Sequence, residues 1–246
     1  MKEFSYPKNK IKVLLLEKVD DVAVKLFKKE GYSVETYEGS MDEEELIKKI
    51  NDVSILGIRS KTNITDKVIN AGKRLMCIGA FCIGTNQIKL ESCANSGIII
   101  FNAPFSNTRS VVEIVIGQII NLTRKIVEKS NEMHNGIWKK DSIGSYEIRN
   151  KIIGIIGYGN IGSQLSVICE SIGMKVLYYD IIDKLSLGNA KKLQSLKELL
   201  IKSDIVSLHV DGRKENTNLI SYKEFDLMKK DAILINYSRG NIVDID

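Results

Sequence analysis

Gly157-Tyr158-Gly159-Asn160-Ile161-Gly162 is the grouping whose residue types and spacing most directly suggest chemistry. It follows a short apolar run and opens a segment of helical period, so its three glycines fall where a strand turns into a helix. Gly157 permits a tight turn, Gly159 lets the backbone come close to a pyrophosphate, and Gly162 lets the helix pack against the strand. Free N–H groups and the positive dipole end at such a helix N-terminus stabilise an anion. Asp180 completes the pattern by ending the next strand, eighteen residues after Gly162. A carboxylate there accepts hydrogen bonds from ribose hydroxyls and repels a 2′-phosphate, which favours NAD over NADP. The alternative is a glycine-rich turn in a purely structural βαβ unit, and strand, helix and acid together weigh against it.

The elements that must position this turn form two runs. Apolar segments at 11–17, 33–37, 54–58, 74–80 and 97–102 alternate with stretches of helical period, which predicts a parallel sheet with helices on both faces. Helices are expected over 21–30, stopped by Gly31, and over 42–50, opening on acidic residues. After Pro104 the pattern becomes one long helix over 108–135. Val111, Val112, Val115, Ile116, Ile119, Ile120, Leu122 and Ile126 make it apolar over most of its circumference, as for a helix buried on more than one side. It is expected between domains or at a subunit interface, with Trp138 following in an interface loop or simply on the surface. A second rhythm comprises strands at 151–159, 175–180, 204–210 and 232–240, with helices over 160–172 and 195–202. The boundary falls near 103–108.

Composition excludes more than it selects. Of 246 residues, 43% are hydrophobic and 27% charged, ordinary for a globular protein. The net charge of +5 is spread along the chain, with no basic run interleaved with aromatics, so no nucleic-acid partner is expected. No apolar stretch reaches the ~18 residues of a membrane span, and the polar start MKEFSYPKNK carries no signal core. No membrane partner and a cytoplasmic location are therefore expected. Cys77, Cys82, Cys93 and Cys169 form no CxxC pair and read as buried thiols, and no metal site is expected.

With the fingerprint placed behind a separate βα domain, the layout resembles the D-isomer-specific 2-hydroxyacid dehydrogenases. The segments IRSKTNIT (58–65), IGAFCIGTNQI (78–88), FNAPFSNTRSVVEIVIG (101–117), IIGIIGYGNIGSQL (152–165), KLSLGNA (184–190), SDIVSLHV (203–210) and LINYSRGNIVDI (234–245) carry the resemblance over nearly the whole chain. They are most similar to the members that oxidise 3-phospho-D-glycerate to 3-phosphooxypyruvate at the start of serine biosynthesis. The implied fold is α/β, a flavodoxin-like substrate-binding domain over 1–104 followed by a Rossmann NAD-binding domain over 105–246. The implied partner is a small phosphorylated 2-hydroxy acid, and the implied assembly a homodimer through the NAD-binding domain.

The resemblance also assigns residues. Arg59, Ser60 and Lys61 match a basic segment over the substrate, where a phosphate plus a carboxylate need cationic donors. The family often has arginine at the second basic place; Lys61 keeps the charge without the bidentate fork. Ile83 and Gly84 match a loop whose amides hold the substrate carboxylate, and Asn107 matches a polar residue of the same cleft. Asn160 and Ile161 match positions touching the pyrophosphate; His209, Val210, Tyr237 and Ser238 match positions around the nicotinamide. Arg239, in Ser-Arg-Gly, matches the catalytic arginine that stabilises charge near the carbonyl carbon. Asp211-Gly212 departs from the family, which usually has proline there.

Oxidation also requires a base, which in the family is a histidine, tuned by a glutamate, well downstream of Ser-Arg-Gly. Asp246 comes only seven residues after Arg239. The sequence is therefore read as truncated at its C-terminus, with that Glu and His, and the rest of the NAD-binding domain, encoded further on. Of the two histidines, His134 reads as solvated and His209 as a cofactor-side residue. Two other readings stay open: a dehydrogenase for another D-2-hydroxy acid, and a catalytically inactive NAD-binding scaffold or sensor.

Overall fold

The computed structural model describes residues 6–245; the first five residues of the polar start, and Asp246, lie outside the described residues. The chain divides into two compact units, Met1–Ser106 and Asn107–Asp246.

The first unit alternates strand and helix: β1 Lys12–Leu15, α1 Asp21–Lys29, β2 Ser33–Thr36, α2 Glu43–Ile50, β3 Ile55–Ile58, α3 Asp66–Ala71, β4 Cys77–Ala80, α4 Leu90–Asn95 and β5 Ile99–Asn102. Helix starts are set by side-chain caps. Asp20 accepts the Val22 amide at 2.8 Å, and Asp42 forms a reciprocal capping box with Glu45. All strand pairs are parallel, in the order β2-β1-β3-β4-β5. This is the flavodoxin-like order, with the topological switch between β1 and β3. Leu14, Leu56, Ile58 and Ile78 face a core closed by Leu46 and Ile50 of α2, while Val13 and Leu15 pack towards α1 on the other face.

The second unit contains α5 Thr108–Arg124, α6 Ile126–His134, β6 Ile152–Ile156, α7 Asn160–Ser171, β7 Lys175–Tyr179, β8 Lys191–Lys192, α8 Leu196–Lys202, β9 Ile205–Leu208, α9 Tyr222–Leu227 and β10 Ile233–Asn236. Its parallel sheet runs β10-β9-β6-β7-β8. Read from β6 outward, this is the doubly wound order of a dinucleotide-binding domain, switching between β6 and β9.

Two sequence expectations need correction. The long helix over 108–135 is two helices, because Lys125 takes left-handed backbone (φ 54°) and the Asn121 side chain accepts the Val127 amide at 3.1 Å across the break. Within this chain α5 buries a single stripe of Val112, Val115, Ile119 and Thr123, while Ile114 and Leu122 stay nearly half exposed. Only Cys93 and Cys169 are buried, whereas Cys77 and Cys82 are half-buried. The short helices α3, α4 and α9 were not anticipated, being too brief to show a helical period. Among the described residues no helix is long and apolar enough to cross a membrane.

Candidate functional site

Strand register brings the fingerprint residues to one edge of the second sheet. Ile156 pairs with Tyr179 and with Leu208, and Leu208 pairs with Asn236. The segments that follow, 157–162, Asp180, 209–210 and 237–239, therefore all leave the carboxyl edge, flanking the switch point where such sheets bind ligands.

Each glycine meets a distinct physical demand. Gly157 is left-handed (φ 91°), and a Cβ there would lie 2.6 Å from the His209 carbonyl oxygen. A Cβ on Gly162 would sit 2.2 Å from the Gly157 carbonyl oxygen, so the start of α7 can approach β6 only without a side chain. Gly159 has open space around its missing Cβ. No side chain caps α7, leaving the first-turn amides, including those of Asn160 and Ile161, without that competitor. An open approach at Gly159 onto an uncapped, twelve-residue helix fits an anionic pyrophosphate.

Asp180 is more constrained than its sequence position suggests. One carboxylate oxygen accepts the Tyr158 amide at 2.7 Å and the other accepts the Ile182 amide at 2.8 Å. The acid thereby joins the glycine turn to the end of β7, and each oxygen keeps a lone pair for a ribose hydroxyl. Tyr158, within the turn, stacks on Tyr178 of β7 at 3.7 Å between centroids, and both are buried. The Tyr158 hydroxyl bonds Ser166 at 2.7 Å and accepts the Leu187 amide at 3.2 Å, while the Tyr178 hydroxyl donates to the Lys184 carbonyl at 2.8 Å. These contacts fasten segment 184–187 to the glycine turn and to β7, a role that neither tyrosine's position in the sequence discloses.

On the β9 side, burial lowers the His209 pKa from 6.5 to about 4, and its Nε2 bonds Ser207 at 2.8 Å. An imidazole with so low a pKa holds an added proton weakly near pH 7, and its Nε2 is already engaged. His134 is exposed, with Nδ1 at 2.8 Å from the Ser130 carbonyl oxygen of its own helix. Val210 borders Gly157, its Cγ1 standing 3.1 Å from where a Cβ on that glycine would lie. Asp211, in the place where proline was expected, holds its loop by a bidentate pair with Arg213 and by its carbonyl oxygen accepting the Asn216 amide group at 2.9 Å.

After β10, the Asn236 side chain shapes the next turn. It accepts from the Ser238 amide at 3.0 Å and hydroxyl at 2.7 Å, and donates to the Arg239 carbonyl at 2.8 Å. Asn236 was missed in the sequence, although an asparagine just before a Ser-Arg-Gly turn is the residue type that folds back on its own backbone. Tyr237 is partly exposed, and the exposed Arg239 makes no ion pair among the described residues.

In the first unit Ile58 pairs with Ala80, and Ala80 with Asn102, so the loops 59–62 and 81–84 share a carboxyl edge. Arg59, Ser60 and Lys61 are exposed, and neither basic residue forms an ion pair among the described residues. Gln87 links the two loops, donating to the Arg59 carbonyl at 2.7 Å, and Asn102 donates to the Ile83 carbonyl at 2.9 Å. Gly84 accepts the Cys82 thiol at 3.2 Å. Asn107 stands at the N-terminus of α5 in the second unit, exposed and without a capping bond.

Residues 116–246 match the family described as D-isomer specific 2-hydroxyacid dehydrogenase, NAD binding domain. The chain belongs to that family. NAD is thus the cofactor of its second unit. A D-3-phosphoglycerate dehydrogenase of Escherichia coli K12 is 49% identical over all 246 residues, which span 60% of that protein. One from Dictyostelium discoideum is 51% identical over 241 residues, 98% of this chain and 59% of its own length. The chain thus spans about three fifths of these curated relatives. Among solved structures, the TT0316 protein of Thermus thermophilus aligns with TM-score 0.88 at 26% identity, covering 95% of this chain and 76% of that one. The D-lactate dehydrogenase of Aquifex aeolicus, complexed with NAD and lactic acid, aligns with TM-score 0.82 at 26% identity, over 94% and 70% of the two chains.

Proposed function

We propose that the chain is the substrate-binding unit and part of the NAD-binding unit of a cytoplasmic enzyme that oxidises 3-phospho-D-glycerate to 3-phosphooxypyruvate, opening serine biosynthesis. The observation that carries the substrate is the pair of exposed cations, Arg59 and Lys61, on one loop at a sheet's carboxyl edge with no acidic partner among the described residues. Unpaired basic side chains beside a ligand edge suit a dianionic phosphate. The relatives named above carry the same substrate in their names.

NAD, when bound, supplies the hydride acceptor. The chain's own residues bind and orient. The first-turn amides of α7, at Asn160 and Ile161, would take the pyrophosphate across Gly159, and Asp180 the adenine ribose. Val210, Tyr237, Ser238 and the neutral His209 would border the nicotinamide half. Arg239 would hold the substrate carboxylate and stabilise charge developing beside C2. Ile83, Gly84 and Asn107 would complete the substrate side. We assign the base's role elsewhere than His209, since burial lowers its pKa to about 4, so it would hold an abstracted proton only weakly, and Ser207 engages its Nε2. The assembly we propose is a homodimer through the NAD-binding unit.

The test is calorimetric titration of the NAD-saturated chain with 3-phospho-D-glycerate and with D-glycerate. Tighter binding of the phosphorylated ligand, lost in Arg59→Ala and Lys61→Ala, supports the proposal. An undiminished phosphate preference in both variants would refute it.

A further inference from the structure

Glu17 is a buried acid for which the binding roles above leave no use. It lies two residues past β1, only 8% exposed, in left-handed backbone (φ 60°) that a glutamate adopts at a cost. Its own amide is anchored to the Gly39 carbonyl at 2.9 Å, which keeps the unusual conformation in place. The side chain crosses the switch point between β1 and β3. There one carboxylate oxygen accepts the Arg59 amide at 3.2 Å and the Thr62 amide at 2.9 Å, and the other accepts the Lys61 amide at 3.0 Å. Burial opposes ionisation, yet the bonds from Thr62, Lys61 and Arg59 outweigh it and hold the carboxyl below its ordinary value of 4.5.

We propose that Glu17 is a positioning residue: its carboxylate gathers the backbone of 59–62 so that Arg59 and Lys61 are presented together, pre-organised, to a phosphorylated anion. Three amides of one loop converge on two oxygens, with Gln87 holding the Arg59 carbonyl from the other side at 2.7 Å. The loop's conformation is thus settled before a ligand arrives, and the ligand avoids the entropy of ordering it. Glutamine has one acceptor oxygen and would turn an NH2 group towards at least one of these amides, leaving buried donors opposed.

This inference rests on the substrate reading above, and its test separates the two. 3-Phospho-D-glycerate is titrated into the NAD-saturated 246-residue chain as wild type, Glu17→Gln, Arg59→Ala and the double variant. We expect Glu17→Gln to weaken binding about tenfold, equivalent to ~1.4 kcal/mol, with NAD affinity unchanged. In the Arg59→Ala background the same change should add clearly less than tenfold, since only its effect on Lys61 remains and residues acting through one another are not additive. Amide exchange at Arg59, Lys61 and Thr62 should accelerate in Glu17→Gln while the strand amides stay protected. Gln87→Ala releases the same loop without opening a buried charge, and should weaken binding severalfold even if Glu17→Gln fails to fold. Wild-type affinity in Glu17→Gln, or in Gln87→Ala should Glu17→Gln not fold, overturns the positioning role while a weakened Arg59→Ala leaves the substrate reading standing. Wild-type affinity in Arg59→Ala, or no binding by the wild type, overturns the substrate reading and this inference with it. Full additivity in the double variant overturns the inference alone.

Discussion

Gly159→Ala separates binding of the cofactor from stability of the fold. The missing Cβ has no heavy atom within 4 Å, and the backbone (φ −81°, ψ −155°) lies where an alanine can stand. Alanine is a poorer N-cap than glycine by up to ~1 kcal/mol, partly offset by the ~0.4–1 kcal/mol gained from a stiffer unfolded chain. The net change in stability should stay within about 1 kcal/mol, or a Tm shift of roughly 2–4 °C. The new methyl, however, occupies the open approach to the first-turn amides of α7. Pushing a pyrophosphate off those donors removes charge-assisted hydrogen bonds of about 1.5–3 kcal/mol each, so NAD affinity should fall at least tenfold and on the order of a hundredfold. Gly162→Ala provides the contrast. Its Cβ would lie 2.2 Å from the Gly157 carbonyl oxygen, so the backbone itself must move, and overpacking of that kind costs about 1–3 kcal/mol. Calorimetric NAD titration and thermal unfolding of both variants provide the assay. NAD binding by Gly159→Ala at wild-type strength would refute the pyrophosphate placement. A Tm loss as large as that of Gly162→Ala would refute the open space.

Two further outcomes follow from the site. Asp180→Ala removes the acceptor of the Tyr158 and Ile182 amides and the charge that repels a 2′-phosphate. NAD binding should weaken by about tenfold or more while the preference over NADP shrinks, measured by titrating both dinucleotides; an unchanged ratio contradicts the role. His209 makes stability depend on pH, because its folded pKa of about 4 lies below its ordinary 6.5. Between those values the unfolded chain binds a proton that the folded chain refuses, so stability falls as pH drops from 6.5 towards 4, by at most ~3 kcal/mol. Part of the residue reaches the surface, which makes this an upper bound. Urea unfolding at pH 7.5 and 5 should show a smaller drop for His209→Gln than for wild type, and equal drops would rule out a buried neutral imidazole.

Much of this architecture was legible because it depends on short-range pattern. Apolar runs of strand length alternating with helical periods imply parallel βαβ units, and a G-x-G-x-x-G turn followed by an acid marks the first βα turn of a dinucleotide domain. Gly157, Gly162 and Asp180 are constrained by neighbours close in sequence or by the register of adjacent strands, so residue type and spacing alone located them. The break at Lys125 was not legible, since a lysine in left-handed backbone has no signature of its own and the pattern of apolar residues continues across it. The neutral state of His209 depends on burial created by strand packing, and a sequence carries no measure of desolvation. Glu17 is the clearest case: its carboxylate bonds amides 42 to 45 residues away, a closure that only the order of β1 beside β3 produces. The chain's own alphabet determined where a dinucleotide could meet the backbone; tertiary structure alone decided which buried groups hold the cationic loop, because hydrogen bonds between distant segments are written in topology and not in spacing.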